Sequence, residues 1–564
     1  MDDILVLETK IEQMIDELKS LCQTNGLANQ ASEEVVITSI FLYKFLNDKF
    51  MANLQDFAKE GNFSIEDISQ NKNDLLDAFY DTYPQDVAFK YEDTIQYLVN
   101  KTGLEDFSSL FDAALDRISK YPENEAFGIQ SADGKRQPLF QERLIETTLV
   151  ENKRNGFAQS VFGIITQDKF DFGPAFKNNF DFYGRIFEYL ISDYNVASGV
   201  YAEYFTPQVI SSIIAKILVQ MSPVDDNKIY EVYDPSAGSG SLVLHLANEL
   251  GKGKFGNRAI VYTQDISQKS SRFLRINMLL NGLTDSLDNI VNDDTLDNPA
   301  QYNTAHDPSS GFKKFDYITS NPPFNYDFSK MRDQYEKKWA KTPERFFAGI
   351  PSIPPKDKNA MSIYLCFIQH ILWSLKDDGK AAIVVPTGFL TKKLTIELAV
   401  RKKIIDQHWI KGVISMPPNI FANTGTNVSI VFIDKSNTDN EVVLLDASKL
   451  GTKIKVGKKE KVVLSSRKDD ENSDANIITN AFIDKKTVDK FCVVKTIDEI
   501  IENDYSLAPA QYFDIRIETE EYTEEEFNQI MEDYQKELTS IFESSSKLNT
   551  EILEQLKGFG YENL

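Results

Sequence analysis

Apolar residues near the start of the chain recur at steps of three and four, which is typical of helices packed on one face. The first run extends from Ile4 to Leu18, and a second run continues from Ile37 to Phe45. The same spacing returns in residues 75–80, 110–118 and 144–150. We therefore predict an N-terminal helical domain over residues 1–175, with a packing or assembly role.

After about Phe180 the pattern changes to short β-branched runs that alternate with helical segments. The runs predicted as strands are 229–233, 259–264, 315–320, 381–385, 412–415 and 428–433. Such alternation is typical of a mostly parallel sheet with helices on both faces. The prediction is an α/β, doubly wound fold over residues 176–436.

The remainder of the chain is more polar. Residues 437–510 form an irregular mixed segment with a lysine-rich stretch from Lys453 to Lys461. Residues 511–564 form a predicted C-terminal helical tail that carries 14 acids and four bases between Tyr512 and Leu564. Its apolar stripe runs from Phe527 to Phe542 and fits either a buried core or a docking element for another subunit.

Charge and cysteine content limit the functional class. The 564 residues carry a formal net charge of −25, which opposes coating of nucleic acid by this chain alone, because such binding depends on Lys and Arg at phosphates. Three cysteines exclude a disulfide framework, and the four scattered histidines give no metal-site pattern. The start lacks a basic leader, and no apolar run is long enough for a membrane span. We expect a soluble cytoplasmic protein with no membrane or metal partner.

A turn of small residues follows the first predicted strand. It reads Asp234-Pro235-Ser236-Ala237-Gly238-Ser239-Gly240, and a helix is predicted directly after it. Small side chains let a backbone approach a ligand closely, while Val243 stands where a dinucleotide site would have its third glycine. The turn resembles the first motif of S-adenosylmethionine-dependent methyltransferases. That resemblance makes Asp234, Ser236, Ala237, Gly238 and Gly240 cofactor-binding candidates.

Two further acids follow strands. Asp265 ends the second predicted strand, where a carboxylate can accept hydrogen bonds from ribose hydroxyls. Asp294 lies in a later loop from which it could reach the adenine of the cofactor. Either acid could instead be a solvated loop residue.

The motif Asn321-Pro322-Pro323-Phe324 ends a third predicted strand. Paired prolines fix the backbone, so that the Asn321 side-chain oxygen and the Pro322 carbonyl can converge on one amino group while Phe324 offers a flat face. Two such acceptors draw an exocyclic nitrogen toward sp³ geometry and expose its lone pair to a methyl on sulfonium. A base within a duplex would have to be flipped out and stacked on Phe324. These four residues are the catalytic candidates.

Together these motifs resemble the modification (methyltransferase) subunits of type I restriction-modification systems, which are N6-adenine DNA methyltransferases. Supporting segments are 39–46, 181–190, 203–208, 409–421, 424–427 and 504–507. The resemblance implies a Rossmann-like methyltransferase core, S-adenosylmethionine as cofactor, and cofactor contacts from Glu203, Tyr204, Phe205, Thr206, Pro207 and Gln208. It also implies DNA as substrate, a specificity subunit, a second copy of this chain in an M2S1 complex, and restriction subunits. The Ser-Ala-Gly-Ser-Gly-Ser turn and the length of residues 51–150 depart from the family pattern.

Local charge and chemistry bear on the acceptor. Residues 330–411 carry 16 bases and eight acids. Five of these bases could contact DNA phosphates near a flipped base, or they could form a solvated helix face. They are Lys392, Lys393, Arg401, Lys402 and Lys403. Motifs of this kind also serve methylation of RNA bases and of protein glutamine amides. Those acceptors, and a catalytically silent cofactor-binding scaffold, are the alternatives.

Overall fold

A computed structural model of the chain describes residues 2–28, 31–83, 86–127, 129–130, 136–173, 206–221, 223–225, 227–251, 258–304, 307–421, 427–456, 459–466, 470–513 and 523–558. The chain divides into two compact units, Met1–Phe513 and Asp514–Leu564. Within the described ranges, no helix combines the length and apolarity needed to cross a bilayer. The same ranges contain no group of three or more potential metal ligands.

The N-terminal region is helical, as the apolar spacing predicts. Its helices are α1 Asp2–Thr24, α2 Ala31–Gly61, α3 Ile65–Ser69, α4 Leu75–Thr82, α5 Ile95–Leu98, α6 Phe107–Lys120, α7 Leu144–Thr148 and α8 Glu151–Ile165. Residues 129–130 and 136–137 form a short antiparallel pair. The buried apolar residues of these helices belong to the same hydrophobic cluster as one face of the sheet described next.

One nine-stranded sheet organises the second half of the first unit. Its strands are β1 Tyr230–Asp234, β2 Ala259–Asp265, β3 Ile290–Asn292, β4 Phe315–Ser320, β5 Leu375–Pro386, β6 Ile410–Ser415, β7 Val428–Asp434, β8 Glu441–Asp446 and β9 Cys492–Thr496. The strand order is β9-β8-β6-β7-β5-β4-β1-β2-β3. Neighbours are parallel except where β7 pairs with β5 and β6 and where β9 pairs with β8. The sheet is therefore mostly parallel, as predicted.

Helices cover both faces of this sheet. The helices of this region are α9 Gln208–Gln220, α10 Ser241–Leu250, α11 Gln268–Leu280, α12 Arg332–Trp339, α13 Tyr364–Ser374, α14 Thr395–Asp406, α15 Asp474–Ile483 and α16 Ile497–Glu502. Of these, α12 packs in a separate hydrophobic cluster through Tyr335 and Trp339. Successive strand residues enter different cores: Val232 belongs to one buried cluster and Tyr233 to the other. This alternation follows from the two-residue period of a strand and confirms the doubly wound prediction.

The sheet continues past residue 436. Strands β8 and β9 both come from the segment 437–510, which the sequence describes as irregular, and β8 pairs in parallel with β6. A two-stranded antiparallel ribbon, Thr452–Val456 with Lys459–Val463, follows β8. The 436/437 boundary therefore lies between neighbouring parts of one sheet. The second unit contains the predicted C-terminal helix, α17 Glu524–Gly558.

The strand order reverses between β1 and β4. The chain runs outward through β2 and β3 and then returns to form β4 on the other side of β1. In open α/β sheets, ligands bind beyond the carboxyl ends of the strands at such a reversal. At the opposite edge, the Asp316 carboxylate accepts hydrogen bonds from Glu231 N (2.9 Å) and Lys228 Nζ (2.6 Å), which joins β4 to β1. These bonds hold β1 and β4 together at their amino-terminal ends, opposite to the end where ligands are expected.

Gly240 allows helix α10 to pack closely on α11. Its φ is +83°, and a Cβ at this position would lie 2.1 Å from Leu274 Cδ1. We predict that Gly240→Ala lowers the free energy of unfolding by about 1–3 kcal/mol, because the left-handed backbone and the packing both oppose a methyl group. Urea unfolding followed by circular dichroism measures this.

Gly156→Ala is the matched control. Gly156 lies exposed within α8, and a Cβ there would meet no atom within 4 Å. This variant should be more stable than the wild type by about 0.5–1 kcal/mol, because alanine favours the helix. Equal stability of Gly240→Ala and wild type would contradict the packing role of Gly240.

Candidate active site at the carboxyl edge of the sheet

The Asp234 carboxylate stabilises the turn that follows β1 through a hydrogen bond. Asp234 is buried, and its Oδ1 accepts a hydrogen bond from Ser236 N at 2.9 Å. Gly238 follows with a φ of +53°, a backbone conformation that glycine adopts without strain. Because residues 236–238 are small, a ligand can approach the backbone of this turn closely.

Asp265 joins this turn to the next strand. One carboxylate oxygen accepts from Gly238 N at 2.8 Å, and the other accepts from Ser267 N at 2.8 Å. The backbone carbonyl of Asp265 accepts from Asn292 Nδ2 at 2.9 Å, which adds β3 to the same network. Each carboxylate oxygen keeps a lone pair, so Asp265 can still accept from a ligand hydroxyl.

The residue after Asp265 is one that the sequence analysis did not single out. Ile266 leaves 72% of its surface exposed although it directly follows a buried strand. An apolar side chain beside a carboxylate at a ligand-binding edge offers a surface for a planar ring. The signal available in the sequence was an isoleucine in the loop at the end of β2, where a polar residue is more common.

The Asn-Pro-Pro-Phe motif begins where β4 ends. The hydroxyls of Ser320 and Ser236 hydrogen-bond across the reversal point, with an Oγ–Oγ distance of 2.7 Å. Asn321 Nδ2 donates to Thr206 Oγ1 at 3.0 Å. Because Thr206 takes up the amide nitrogen, the amide oxygen of Asn321 remains as an acceptor for another group.

The ring of Phe324 is supported from one side. Phe324 is half-buried, and the buried Tyr364 packs edge-on against it with ring centroids 6.4 Å apart and planes at 78°. A perpendicular ring pair of this kind holds the ring in one orientation. Because Phe324 is only half-buried, part of its ring remains accessible to another planar group.

The residues at the start of α9 lie beside the Asn-Pro-Pro-Phe motif. Pro207 is the N-cap residue, Thr206 is buried against Asn321, and the amide nitrogen Nε2 of Gln208 is buried without a hydrogen-bond partner. A buried donor without a partner is costly, so it marks a position where a ligand acceptor would be stabilising. The predicted contacts Glu203, Tyr204 and Phe205 lie outside the described residues.

Asp294 is engaged within the protein. Its Oδ1 accepts from Leu296 N at 2.9 Å, and its Oδ2 accepts from Tyr335 OH at 2.6 Å. The neighbouring Thr295 donates its hydroxyl to the Pro235 carbonyl at 2.7 Å, beside the first turn. A contact between Asp294 and the cofactor remains a prediction.

A buried arginine that no sequence signal indicated fixes this loop. Arg345 donates to the carbonyls of Thr295 (2.7 Å) and Leu296 (3.0 Å) and to His370 Nδ1 (3.2 Å). Its guanidinium lies 3.9 Å from the centroid of the Trp339 ring. Burial lowers the pKa of Arg345 to about 9, so it stays charged at neutral pH. The segment after the Asn-Pro-Pro-Phe motif is thus bonded to the loop after β3.

The five bases proposed for phosphates differ in their availability. Arg401 is fully buried and donates to the carbonyls of Phe389 and Tyr505, so its expected phosphate contact is wrong: a side chain used as an internal cross-link cannot reach DNA. Lys393 is exposed and pairs with Asp504 at 2.6 Å. Lys403 Nζ lies 3.8 Å from the centroid of the Phe347 ring.

Comparison with known proteins identifies the family of the chain that carries this site. A family model described as N-6 DNA methylase matches residues 178–522, more than half of the chain. The chain belongs to the N-6 DNA methylase family. The sequence prediction of an adenine-specific DNA methyltransferase is thereby confirmed, and the RNA and protein acceptors are not supported.

Relatives of the chain cover most of its length. The type I restriction enzyme MpnII methylase subunit of Mycoplasma pneumoniae is 26% identical over 533 residues, which are 91% of this chain and 90% of that protein. The MjaIX methylase subunit of Methanocaldococcus jannaschii is 27% identical over 407 residues, 68% of this chain and 64% of that protein. The predicted resemblance to type I modification subunits is confirmed.

A solved structure supports the fold of this family member. The type I restriction-modification methyltransferase subunit from Streptococcus thermophilus superposes with a TM-score of 0.64 at 21% identity. The match covers 90% of this chain and all of that one. The prediction of a methyltransferase core with helical N- and C-terminal regions is confirmed.

The acid of the first turn gives this methylase a pH-dependent stability. Burial, together with the charge of Asp265, raises the pKa of Asp234 well above its ordinary value. The folded state then binds the proton more tightly than the unfolded state, so the contribution of Asp234 to stability should fall as the pH rises above about 3.9. We predict that Asp234→Asn, which cannot ionise, gains stability relative to the wild type between about pH 4 and 8.

Urea unfolding across this pH range measures the difference. The exposed Asp377→Asn is the matched control for loss of one carboxylate charge. Parallel stability–pH curves for Asp234→Asn and wild type would contradict the buried, ionisable role of Asp234.

Proposed function

We propose that the chain is the modification subunit of a type I restriction-modification system. In this proposal it transfers a methyl group from S-adenosylmethionine to adenine N6 of DNA sites that a specificity subunit selects. The observation that carries it is the hydroxyl bond between Ser236 and Ser320, because it joins the cofactor turn to the Asn321–Phe324 motif across the reversal point. The three buried free cysteines suit the reducing cytoplasm that we propose as its location.

The turn and its neighbours fit the parts of S-adenosylmethionine. The bare backbone of residues 236–238 can approach the methionine part, and the orphaned Gln208 amide can donate to its carboxylate. Asp265 can accept from ribose hydroxyls, and Ile266 can cover one face of the adenine ring. When bound, the cofactor supplies an electrophilic methyl group on a sulfonium.

The Asn-Pro-Pro-Phe motif acts on the acceptor amine in this proposal. The exocyclic amine of adenine is a weak nucleophile because its lone pair is delocalised into the ring. The free oxygen of Asn321 and the carbonyl of Pro322 would accept its two protons, which localises the lone pair on nitrogen. Thr206 acts as a positioning residue, since its hydroxyl holds the Asn321 amide in the orientation that this step needs.

The target adenine must leave the duplex to reach this motif. Flipping a base costs a few kcal/mol, which stacking in a pocket offsets. The half-buried ring of Phe324, which packs perpendicular to Tyr364, would provide such a stacking surface. Placement and fixed dipoles supply the catalysis, and no covalent intermediate is needed.

Helix α17 supports a multisubunit enzyme. Seven apolar side chains follow each other at steps of three, four and seven, and each is at least half exposed within its own unit: Phe527, Met531, Tyr534, Leu538, Ile541, Leu548 and Ile552. This heptad-like spacing is typical of a helix that packs along a partner helix. We propose that it docks on the specificity subunit, with two copies of this chain per specificity subunit and with restriction subunits joining the larger complex.

The proposed chemistry predicts a separation of binding from transfer. Asn321→Ala, assayed in complex with the specificity subunit, should lower kcat for methylation by about 10²–10³, because one fixed acceptor is lost. Its affinity for S-adenosylmethionine in calorimetry should stay within about twofold of wild type. Transfer of radiolabelled methyl groups to unmethylated host DNA, followed by nucleoside mass spectrometry, gives the rate and the product.

Two further variants serve as controls, one expected to keep cofactor binding and one expected to lose it. Asn100→Ala removes an exposed asparagine amide in the N-terminal region and should leave both readouts unchanged. Gly238→Asp places a charged side chain at a left-handed position of the cofactor turn and should abolish cofactor binding. Wild-type turnover in Asn321→Ala, or a product other than N6-methyladenine, would overturn the proposal.

A further inference from the structure

The ribbon of residues 452–463 is a basic element on an acidic chain. The described residues between Lys449 and Val463 include five lysines and a single acid, Glu460, whereas the whole chain has a net charge of −25. Its two strands pair in register from Thr452 with Val463 to Val456 with Lys459. The ribbon is therefore a regular two-stranded structure, and its charge is opposite in sign to the net charge of the chain.

The ribbon lies at the same edge of the sheet as the active site. It follows the carboxyl end of β8, which runs parallel to β6, and both have the direction of β4 and β5. Ala447 N donates to Ser415 O at 2.8 Å, and Val462 N donates to Asn419 O at 3.2 Å. These bonds fix the base of the ribbon to the loop after β6.

The strand order gives the lateral separation from the target-base motif. Four strand intervals separate β8 from β4, which ends at Ser320 directly before Asn321. At about 4.8 Å per interval this is roughly 19 Å, or about five to six base pairs along a duplex with a rise of 3.4 Å. A duplex that delivers its adenine to Asn321 and lies along this edge would therefore pass the ribbon within one helical turn.

Two lysines of the ribbon are available to a ligand. Lys453 and Lys455 are exposed and lie on one face of their strand, since their positions differ by two. The Nζ of Lys453 lies 3.0 Å from Glu460 Oε1, in a pair whose side chains are 72% and 48% exposed. Such surface ion pairs contribute little, so phosphate can replace the glutamate.

We propose that this ribbon binds the phosphate backbone of the DNA duplex about half a helical turn from the flipped adenine. The inference rests on the proposed function, because it assumes that the duplex lies along the carboxyl edge. A two-stranded β-ribbon has the width that the major groove of B-DNA accepts. Phosphate contacts of this kind orient the protein on the duplex and carry no sequence information, which agrees with a chain that leaves sequence reading to a partner.

The test compares the salt dependence of DNA binding. The double variant Lys453→Gln/Lys455→Gln, as the full chain in complex with the specificity subunit, is titrated with a fluorescent duplex of mixed sequence at several KCl concentrations. If each lysine neutralises one phosphate, the slope of log K against log[KCl] should become less negative by about 1.8 in total. The dissociation constant at about 0.1 M KCl should rise at least about tenfold.

Lys72→Gln/Lys120→Gln is the matched control, because these exposed lysines of the N-terminal region also carry surface ion pairs. It should retain the wild-type slope. An unchanged slope in the ribbon variant, or an equal change in the control, would overturn the proposal. Loss of the specificity subunit from the ribbon variant with an unchanged slope would also overturn it and assign the ribbon to a protein partner. Failure of the proposed function is separate, because wild-type complex would then form no N6-methyladenine at all.

Discussion

The hydrogen bond between the Ser236 and Ser320 hydroxyls connects the two halves of the site. It bridges the carboxyl ends of β1 and β4, the adjacent strands at which the sheet order reverses. On one side lies a turn that presents its backbone, and on the other lies a motif whose prolines fix the direction of its acceptors. Under the proposed function, methyl transfer requires donor and acceptor in line, and a fixed joint between the two turns would supply this placement.

Further contacts make this joint part of a wider network. Asp265 holds the first turn from the β2 side, and Thr206 holds Asn321 from the start of α9. Arg345 connects the segment after the Asn-Pro-Pro-Phe motif to the loop after β3. Loss of the Arg345 side chain would remove the donor to the buried Thr295 carbonyl, whereas the Leu296 carbonyl would keep its bond from Trp339 Nε1. The first turn and the Asn-Pro-Pro-Phe motif are therefore connected through side chains that lie far apart in sequence.

Most of the sheet was predictable because its strands are strongly apolar and bounded by loops. The predicted strand 315–320 has the observed bounds, and 259–264 and 428–433 differ from the observed strands by one residue. The strands β3, β8 and β9 were missed: β3 is only three residues long, and the other two lie within polar sequence. Their place in the sheet is decided by pairing with distant strands, which local spacing does not encode.

In the candidate site, too, contiguous motifs were predictable from the sequence and residues placed by long-range contacts were not. Motifs such as Asn321–Phe324 are contiguous, so their chemistry can be read from residue types, although their assigned roles are still predictions. Residues that act through long-range contacts gave no such signal: Arg345 is internal although it lies in a basic stretch, and Arg401, expected at phosphates, cross-links two carbonyls. A charged side chain at a helix face is usually solvated, and only the tertiary packing identifies those that are buried.

The most direct measurement is a structure of the chain bound to the specificity subunit, a target duplex and a non-reactive analogue of S-adenosylmethionine. The account predicts that the target adenine is flipped out, stacked on Phe324, and has its N6 within hydrogen-bond distance of both Asn321 Oδ1 and Pro322 O. It also predicts that the Ser236–Ser320 bond is intact in that state. An adenine that remains in the duplex beside a bound specificity subunit, or one held elsewhere with the Asn321 oxygen turned away, would contradict it.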